Sequence, residues 1–505
     1  MADPLDAVGA PGRQDADGGA APEARAASGG LAQLFHLRDL VPLSVSSVGP
    51  LFSVAATGGV MAAETGWWTL PAIGVLAVPF VISAFVFRLL NRHFPHAGAS
   101  YHWSAQVIGR SVSRYQAWIL ILAYFTSIPP IAIPAASYTI ALVAPRSHVP
   151  PGVVLLVSLG WIAFAALPLL LGSRPTAAVT QVLFVVEVGS LVAFAALGAL
   201  DWHRLAVPIQ FGPPPLAGIA VVAVVAATIL DGWEIDSYAA EESRRPREHP
   251  GIGGIVGALG ALAFYAVLYP LMLGETPRHL LAGSTNPLTA WAGRLVPGAP
   301  WAMLVPILAS TVGGLWLTTF ILTRALYAMG RERIVPTAFS RLNRNRVPHV
   351  AILVALGATL AVTALQLLVG SLAGFFRLVL SAAGFFLLAE FFLDSLTATV
   401  FLTVGHRRLP ETRLEPHGHR VLRAGAILSS VVMGALLVAF LVVGPRVLGG
   451  GIDPVLVGLL ALGVVFARVT RGRASAPVHF AGDDVVASEA PADRRVGAGV
   501  ASRRS

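Results

Sequence analysis

Apolar stretches of roughly 20 residues, the length needed to cross the hydrocarbon core of a bilayer, recur about twelve times along the 505-residue chain. They lie near 40–62, 69–90, 115–143, 152–171, 176–198, 215–238, 252–273, 300–328, 349–368, 373–403, 421–443 and 453–468. Lipid offers no partner to a backbone N–H or C=O, so segments of this length must satisfy those groups internally, as helices do. The chain therefore reads as an all-α integral membrane protein with about 12 transmembrane helices. Composition supports this: 55% hydrophobic and 12% charged residues, with a mean hydropathy of +0.73, are incompatible with an ordinary water-facing surface.

The chain has no cysteine, which excludes disulfides and thiolate metal sites, and every basic side chain is arginine. Formal net charge is +9, but the arginines fall in short loops between apolar runs. That places them against anionic headgroups and makes membrane lipid, not nucleic acid, the expected partner. With a cytoplasmic N-terminus, the inside loops carry Arg88, Arg92, Arg110 and Arg114, then Arg174, then Arg244, Arg245 and Arg247, then 324–346, then 407–423. Outside loops hold only Arg146, Arg204, Arg278, Arg294 and Arg446. This alternation predicts a multi-pass protein of the cytoplasmic (inner) cell membrane with both termini inside. No apolar core followed by a small-residue cleavage site opens the chain, so no removable signal peptide is expected.

Residues 1–35 and 471–505 are rich in small and polar residues and lack an apolar period. They are expected to be disordered cytoplasmic tails. Between them, 36–200 would hold helices 1–5, 201–405 helices 6–10 as an inverted second repeat, and 406–470 two accessory helices.

Two spans carry breaks. In the first, Ser46, Ser47, Val48 and Gly49 precede Pro50; in the sixth, Leu230 leads into Asp231-Gly232-Trp233-Glu234-Ile235-Asp236. Each alone could be a proline kink or a packing glycine. Their correspondence as the first members of two five-helix halves is the pattern of an inverted-repeat transporter with its site at the breaks.

Three motifs sharpen this. The segment Phe94-Pro95-His96-Ala97-Gly98-Ala99-Ser100-Tyr101 resembles a Pro-x-x-Gly-Gly-x-Tyr lead into the third helix, with Ala99 where a second glycine is usual. The run from Asp231 through Glu241-Glu242-Ser243-Arg244-Arg245-Pro246 resembles a glycine-aromatic-acid and Glu-Glu-Thr-x-x-Pro hallmark. Third, 324–336 looks like the cytoplasmic end of an eighth helix that usually closes on Arg-Asp-Gly before a proline, here with Glu332 and Arg333 in place of Asp and Gly. Together, over roughly 35–470, they resemble the amino acid–polyamine–organocation (APC) superfamily of permeases, of the amino acid permease type. The resemblance implies a LeuT-type 5+5 inverted repeat with broken helices 1 and 6 plus two accessory helices.

Freed backbone N–H groups near Ser46, Ser47, Val48 and Gly49 are expected to receive a substrate carboxylate. Freed carbonyls near Leu230 and Asp231 would receive an ammonium. Asp231 either adds a negative point that favours cationic amines or caps a helix half. Trp233 either closes over the substrate, as an aromatic does at this position in the family, or packs between helices. Gly232 and Glu234 complete the sixth-helix set.

Glu187 sits mid-span among valines, where a carboxylate is functional by default. It could carry a coupling proton, bind a cationic group or Na⁺, or make a structural hydrogen bond to a hydroxyl. Some proton-coupled relatives resemble this chain with a lysine at this fifth-helix position. Glu390 and Asp394 lie four apart on one face of the tenth span and suit an outer gate or proton route, although Asp394 could equally be solvated near a helix end. Glu241 and Glu242 are expected to pair at the cytoplasmic mouth with arginines such as Arg110 or Arg331 as a gate. His93, His96 and His102 read as a solvated loop, so no metal site is expected.

The expected function is secondary active transport of amino acids or related amines and polyamines by alternating access, proton-coupled or as an exchanger. No cofactor is expected, and H⁺ is preferred to Na⁺ as the coupling ion. A nutrient sensor or channel on the same scaffold is the alternative. A membrane enzyme is disfavoured because neither His-Glu-x-x-His nor a nucleophile motif occurs on a span. Substrate identity, direction of transport and oligomeric state are not encoded legibly.

Overall fold

The computed structural model describes residues 30–144, 149–299, 301–368, 371–404, 418–448 and 452–471. Nearly all of these are helical. The first crossing is α1 (Leu37–Val48) and α2 (Pro50–Thr65), followed by α3 (Thr69–His93), a short α4 (Ala99–Val107), α5 (Arg110–Ser127) and α6 (Pro129–Val143). Next come α7 (Pro151–Leu171), α8 (Ser173–Leu205), the broken pair α9 (Leu216–Leu230) and α10 (Ile235–Tyr238), and α11 (Ile252–Glu275). Two short helices, α12 (Arg278–Ala282) and α13 (Pro287–Leu295), lead to α14 (Trp301–Arg331), α15 (His349–Ala364), α16 (Leu372–Thr403), α17 (Gly418–Leu448) and α18 (Ile452–Thr470).

Nine helical stretches among the described residues are long and apolar enough to cross a membrane. One of them, Leu37–His93, is 57 residues long and has room for two crossings, and Leu216–Leu230 and Pro454–Thr470 are shorter apolar helices. These stretches match the apolar runs of the sequence. The run at 115–143 is not one helix: Ile128 joins α5 to α6 where Pro129 and Pro130 remove backbone donors.

Burial sorts the helices as a bilayer requires. Leu156, Val182, Leu200 and Val431 are large, apolar and exposed, which in lipid is the low-energy arrangement. The central α14 is buried along most of its length, with Gly313, Gly314 and hydroxyl residues allowing close approach. The helices α17 and α18 pack on the outside, α17 against α16 and α3, and α18 against α5.

The tails expected at 1–35 and 471–505 lie outside the described residues except at their inner edges. There the N-terminal expectation needs correcting. Leu31 and Phe35 are buried. The N–H groups of Leu34 and Phe35 donate to the Glu242 carbonyl, and Arg244 N–H returns a bond to the Phe35 carbonyl. The buried Leu31 and Phe35 side chains and these backbone bonds pin the segment against the chain that follows the sixth break.

Candidate functional site

The first break is set by Gly49, in the left-handed region at φ 55°, followed by Pro50 at the first position of α2, where a missing N–H does no harm. The sixth break follows the last turn of α9, where Gly232 has φ 106°. A Cβ on Gly232 would stand 2.5 Å from the Ser47 carbonyl oxygen, so the two breaks touch and only glycine lets them.

Which backbone groups the first break frees differs from the sequence expectation. Ser46, Ser47 and Val48 form the last turn of α1, so their N–H groups are spent inside the helix, and Gly49 N–H closes on the Val45 carbonyl. The orphan donors belong to the start of α2. Leu51 N–H donates to Glu187 Oε1 at 3.2 Å, and Phe52 N–H to Ser310 Oγ at 3.1 Å. Ser310 in turn donates to Glu187 Oε1 at 2.5 Å. Glu187 thus places its carboxylate at a helix N-terminus, where the backbone dipole favours negative charge.

At the sixth break Glu234 folds back on the chain. Gly232 N–H lies 3.1 and 3.0 Å from its two carboxyl oxygens, and Tyr124 donates to Oε1 at 2.9 Å. Asp236 accepts Gly251 and Gly254 N–H groups at 2.6 and 2.8 Å, capping α11. Asp231 turns one oxygen to the site: it is buried with its carboxyl group against that of Glu234, and its Oδ1 finds no hydrogen-bond partner among the described residues.

A small cavity of about 40 Å³ lies between the breaks, α6, α14 and α16. Ser47, Ser53, Thr57, Ser127, Thr228, Asp231 and Thr318 supply its polar wall, and Val48, Phe52, Ile131, Ile229 and Leu387 much of its apolar one. Asp231 is the charged residue in that lining, and Ser47 Oγ, like Asp231 Oδ1, has no protein partner among the described residues. Trp233 is not in the wall. It is buried against Phe87 and Phe391, ring centroids 5.1 and 5.5 Å away, which corrects its placement over the substrate in favour of packing. Ser46, Gly49, Leu230, Gly232 and Glu234 shape the breaks without lining the cavity.

The arginine-bearing end of the bundle is closed by ion pairs. Arg331 binds Glu241 through two nitrogens at 2.6 and 2.8 Å. Glu242 pairs with Arg324 at 2.8 Å, not with Arg110 or Arg331, and also accepts the Ser173 hydroxyl. Arg324 lies over Phe320, 3.7 Å from the ring centroid. Both acids are buried, so removal of either arginine would strand a charge.

The histidine expectation also needs correction. His96 and His102 are buried and stacked at 3.9 Å, and Glu332 stands 3.5 Å from His96 Nε2 and 3.4 Å from His102 Nδ1. Three such ligands within 4.8 Å of one another could hold a metal, but an Arg331 nitrogen lies 2.8 Å from His96 Nε2. Burial, with His102 and Arg331 adjacent, pushes His96 well below the ordinary histidine range. The two residues that stand where the motifs have glycine sit in left-handed backbone, Ala99 at φ 35° and Arg333 at φ 58°, so the turns are kept without their glycines.

Helices broken at positions one and six, touching at a buried cavity, define a secondary transporter. The amino acid permease family profile matches residues 37–466, and the chain belongs to that family. It is 24% identical over 342 residues to the branched-chain amino acid permease BcaP of Lactococcus lactis, covering 63% of this chain and 72% of that protein. It is 22% identical to the mitochondrial cationic amino acid transporter 3 of Arabidopsis thaliana, covering 59% of this chain and only 52% of that longer relative. Among solved structures, the manganese transporter of Eremococcus coleocola superposes with a TM-score of 0.54 at 16% identity, covering 87% of this chain and 98% of that one, a likeness of fold alone.

Sequence reasoning missed Ser310, Tyr124, Tyr238, Ser100 and Arg324 as partners of the buried acids. Hydroxyl residues on apolar helices are common, and nothing local marks those that meet a carboxylate more than 100 positions away.

Proposed function

We propose that the protein carries a small amine-bearing amino acid or related amine across the cytoplasmic membrane by alternating access, with both termini in the cytoplasm. The observation that carries this reading is the unpartnered Asp231 Oδ1 in the cavity wall. A buried carboxyl oxygen without a hydrogen-bond partner favours a cationic ligand. The N–H groups of Leu51 and Phe52 already have acceptors, so the ammonium end of a substrate is the end the cavity recognises. The apolar wall and the small volume favour a short side chain.

Glu187 and Glu390 are our candidates for coupling, with H⁺ preferred to Na⁺, and Glu241, Glu242 and Arg331 for the inner gate together with Arg324. Uptake of labelled amino acids and amines into proteoliposomes, with and without a pH gradient, tests the proposal. Saturable uptake of a small amine, lost in Asp231→Asn, supports it; uptake indifferent to Asp231 removes the site.

A further inference from the structure

Two carboxyl groups on α16 meet at one hydroxyl. Ser100 Oγ lies 3.1 Å from Glu390 Oε1 and 2.9 Å from Asp394 Oδ2. Tyr238 donates to the same Glu390 oxygen at 2.6 Å, and its phenol oxygen is 3.0 Å from Ser100 Oγ. Gln116 Nε2 donates to the other Asp394 oxygen at 2.7 Å. All five side chains are fully buried, so Asp394 is not the solvated helix-end residue its position suggested. The second oxygen of Glu390, Oε2, is buried without a hydrogen-bond partner among the described residues.

Counting hydrogens decides what this arrangement holds. Three short contacts involve a carboxyl oxygen and a hydroxyl: Ser100 with Glu390, Ser100 with Asp394, and Tyr238 with Glu390. Ser and Tyr hydroxyls carry one hydrogen each, so with both acids ionised two hydrogens must serve three contacts. One acid-borne proton completes the set. Asp394 then donates to Ser100, Ser100 donates to Glu390, and Tyr238 donates to Glu390. The charged neighbours do not offer a substitute, because what surrounds the pair electrostatically is acidic: each other, Glu234 and Asp231. Two carboxyl groups within about 3 Å of one oxygen, away from water, titrate as a unit.

We propose that Glu390, Asp394 and Ser100 form a proton-binding site holding one proton shared between the two carboxyl groups. When the proton leaves, the Ser100 hydrogen alone is left between two carboxylates, and the pair must separate or admit water. The site is distinct from Glu187, whose partners are Leu51 and Ser310. It reaches the sixth-helix break through aromatic rings: Tyr238 stands edge-on to Tyr124 at 5.7 Å, and Tyr124 binds Glu234 at the break. A role in coupling rests on the transport reading; the proton itself does not.

The test is infrared difference spectroscopy between acid and alkaline pH on the full chain in lipid vesicles, in H₂O and D₂O, without substrate. The expected result is one protonated-carboxyl stretch that is abolished equally by Glu390→Gln and by Asp394→Asn. Loss in only one variant would mean an ordinary protonated acid, and loss in neither would mean no proton at the pair; either overturns the proposal. So does a carboxylate band that shifts with Na⁺ instead of pH. Ser100→Ala keeps both acids and should shift the band in frequency; an unmoved band also overturns the sharing. Uptake in the same vesicles reads the other question. A wild-type protein that shows the band but transports nothing sinks the transport reading and leaves the proton site standing.

Discussion

Glu187 Oε1 lies 3.2 Å from the backbone nitrogen of Leu51, so a side chain from the fifth membrane crossing caps the second half of the first. The break in that crossing is held open from outside, by a carboxylate that would otherwise be costly at this depth. Ser310 on α14 completes the contact, tying three crossings at one oxygen.

Glu187→Gln keeps an oxygen for Leu51 and Ser310 but cannot release a proton. Substrate exchange should persist while accumulation driven by a pH gradient is lost. Counterflow and gradient-driven uptake measured on the same vesicles separate the two, and uphill accumulation by the variant would move the coupling role elsewhere. Glu187→Ala leaves a buried N–H and a hydroxyl unsatisfied, and should destabilise by roughly 1–3 kcal/mol in thermal unfolding.

Gly232→Ala introduces a Cβ against the Ser47 carbonyl and forces an alanine to φ 106°. The two breaks should be pushed apart, with substrate binding lost and a strain of about 1–3 kcal/mol. Gly49→Leu should likewise abolish binding in a protein that still inserts. Wild-type affinity in either purified variant counts against a site at the breaks.

Asp231→Asn and Trp233→Ala should separate binding from packing. The first removes the charge facing the cavity, and affinity for an amine should fall by roughly 1.5–3 kcal/mol with little change in melting temperature. The second removes a buried indole from between Phe87 and Phe391, and stability should fall by about 3–5 kcal/mol. Calorimetric affinities beside melting curves check both; an affinity loss larger in Trp233→Ala than in Asp231→Asn reverses the assignment.

Ala99→Gly and Arg333→Gly restore glycine to backbone in the left-handed region. Each should raise stability by about 1 kcal/mol, since a Cβ is disfavoured there by that order. An unchanged or lower melting temperature would show that contacts of the side chains outweigh the strain.

His96 gives a pH dependence of defined sign. Its folded-state pKa is pushed down by burial, His102 and Arg331, so below the unfolded value near 6.5 the unfolded chain binds a proton that the folded chain refuses. Stability should fall as pH drops beneath about 6.5 and be indifferent to His96 above it. The difference in melting temperature between wild type and His96→Gln should be constant above about pH 6.5 and shift against wild type as pH falls below it. Parallel curves would mean that His96 titrates normally.

The membrane crossings were legible because lipid leaves the backbone one solution per apolar run, and the breaks because Gly49-Pro50 in the first run and the acids around Gly232 in the sixth interrupt corresponding spans of the two halves. What each break exposes was not legible. Whether Gly49 ends a helix or starts one decides whether carbonyls or N–H groups face the site, and a shift of two residues reverses the polarity. The partner of Glu242 was also hidden, since Arg324, Arg331 and Arg110 are equivalent until the crossings are placed side by side. The histidines read as solvated because Glu332, which lies beside both, is more than 200 positions along the chain.

The knot around Glu242 joins four parts of the chain: its carbonyl holds Leu34 and Phe35, and its carboxylate holds Arg324 and Ser173. Releasing Arg324 alone would leave a buried charge without its counterion. If this end opens during transport, the four contacts should part together, and turnover should rise steeply with temperature long before any helix melts.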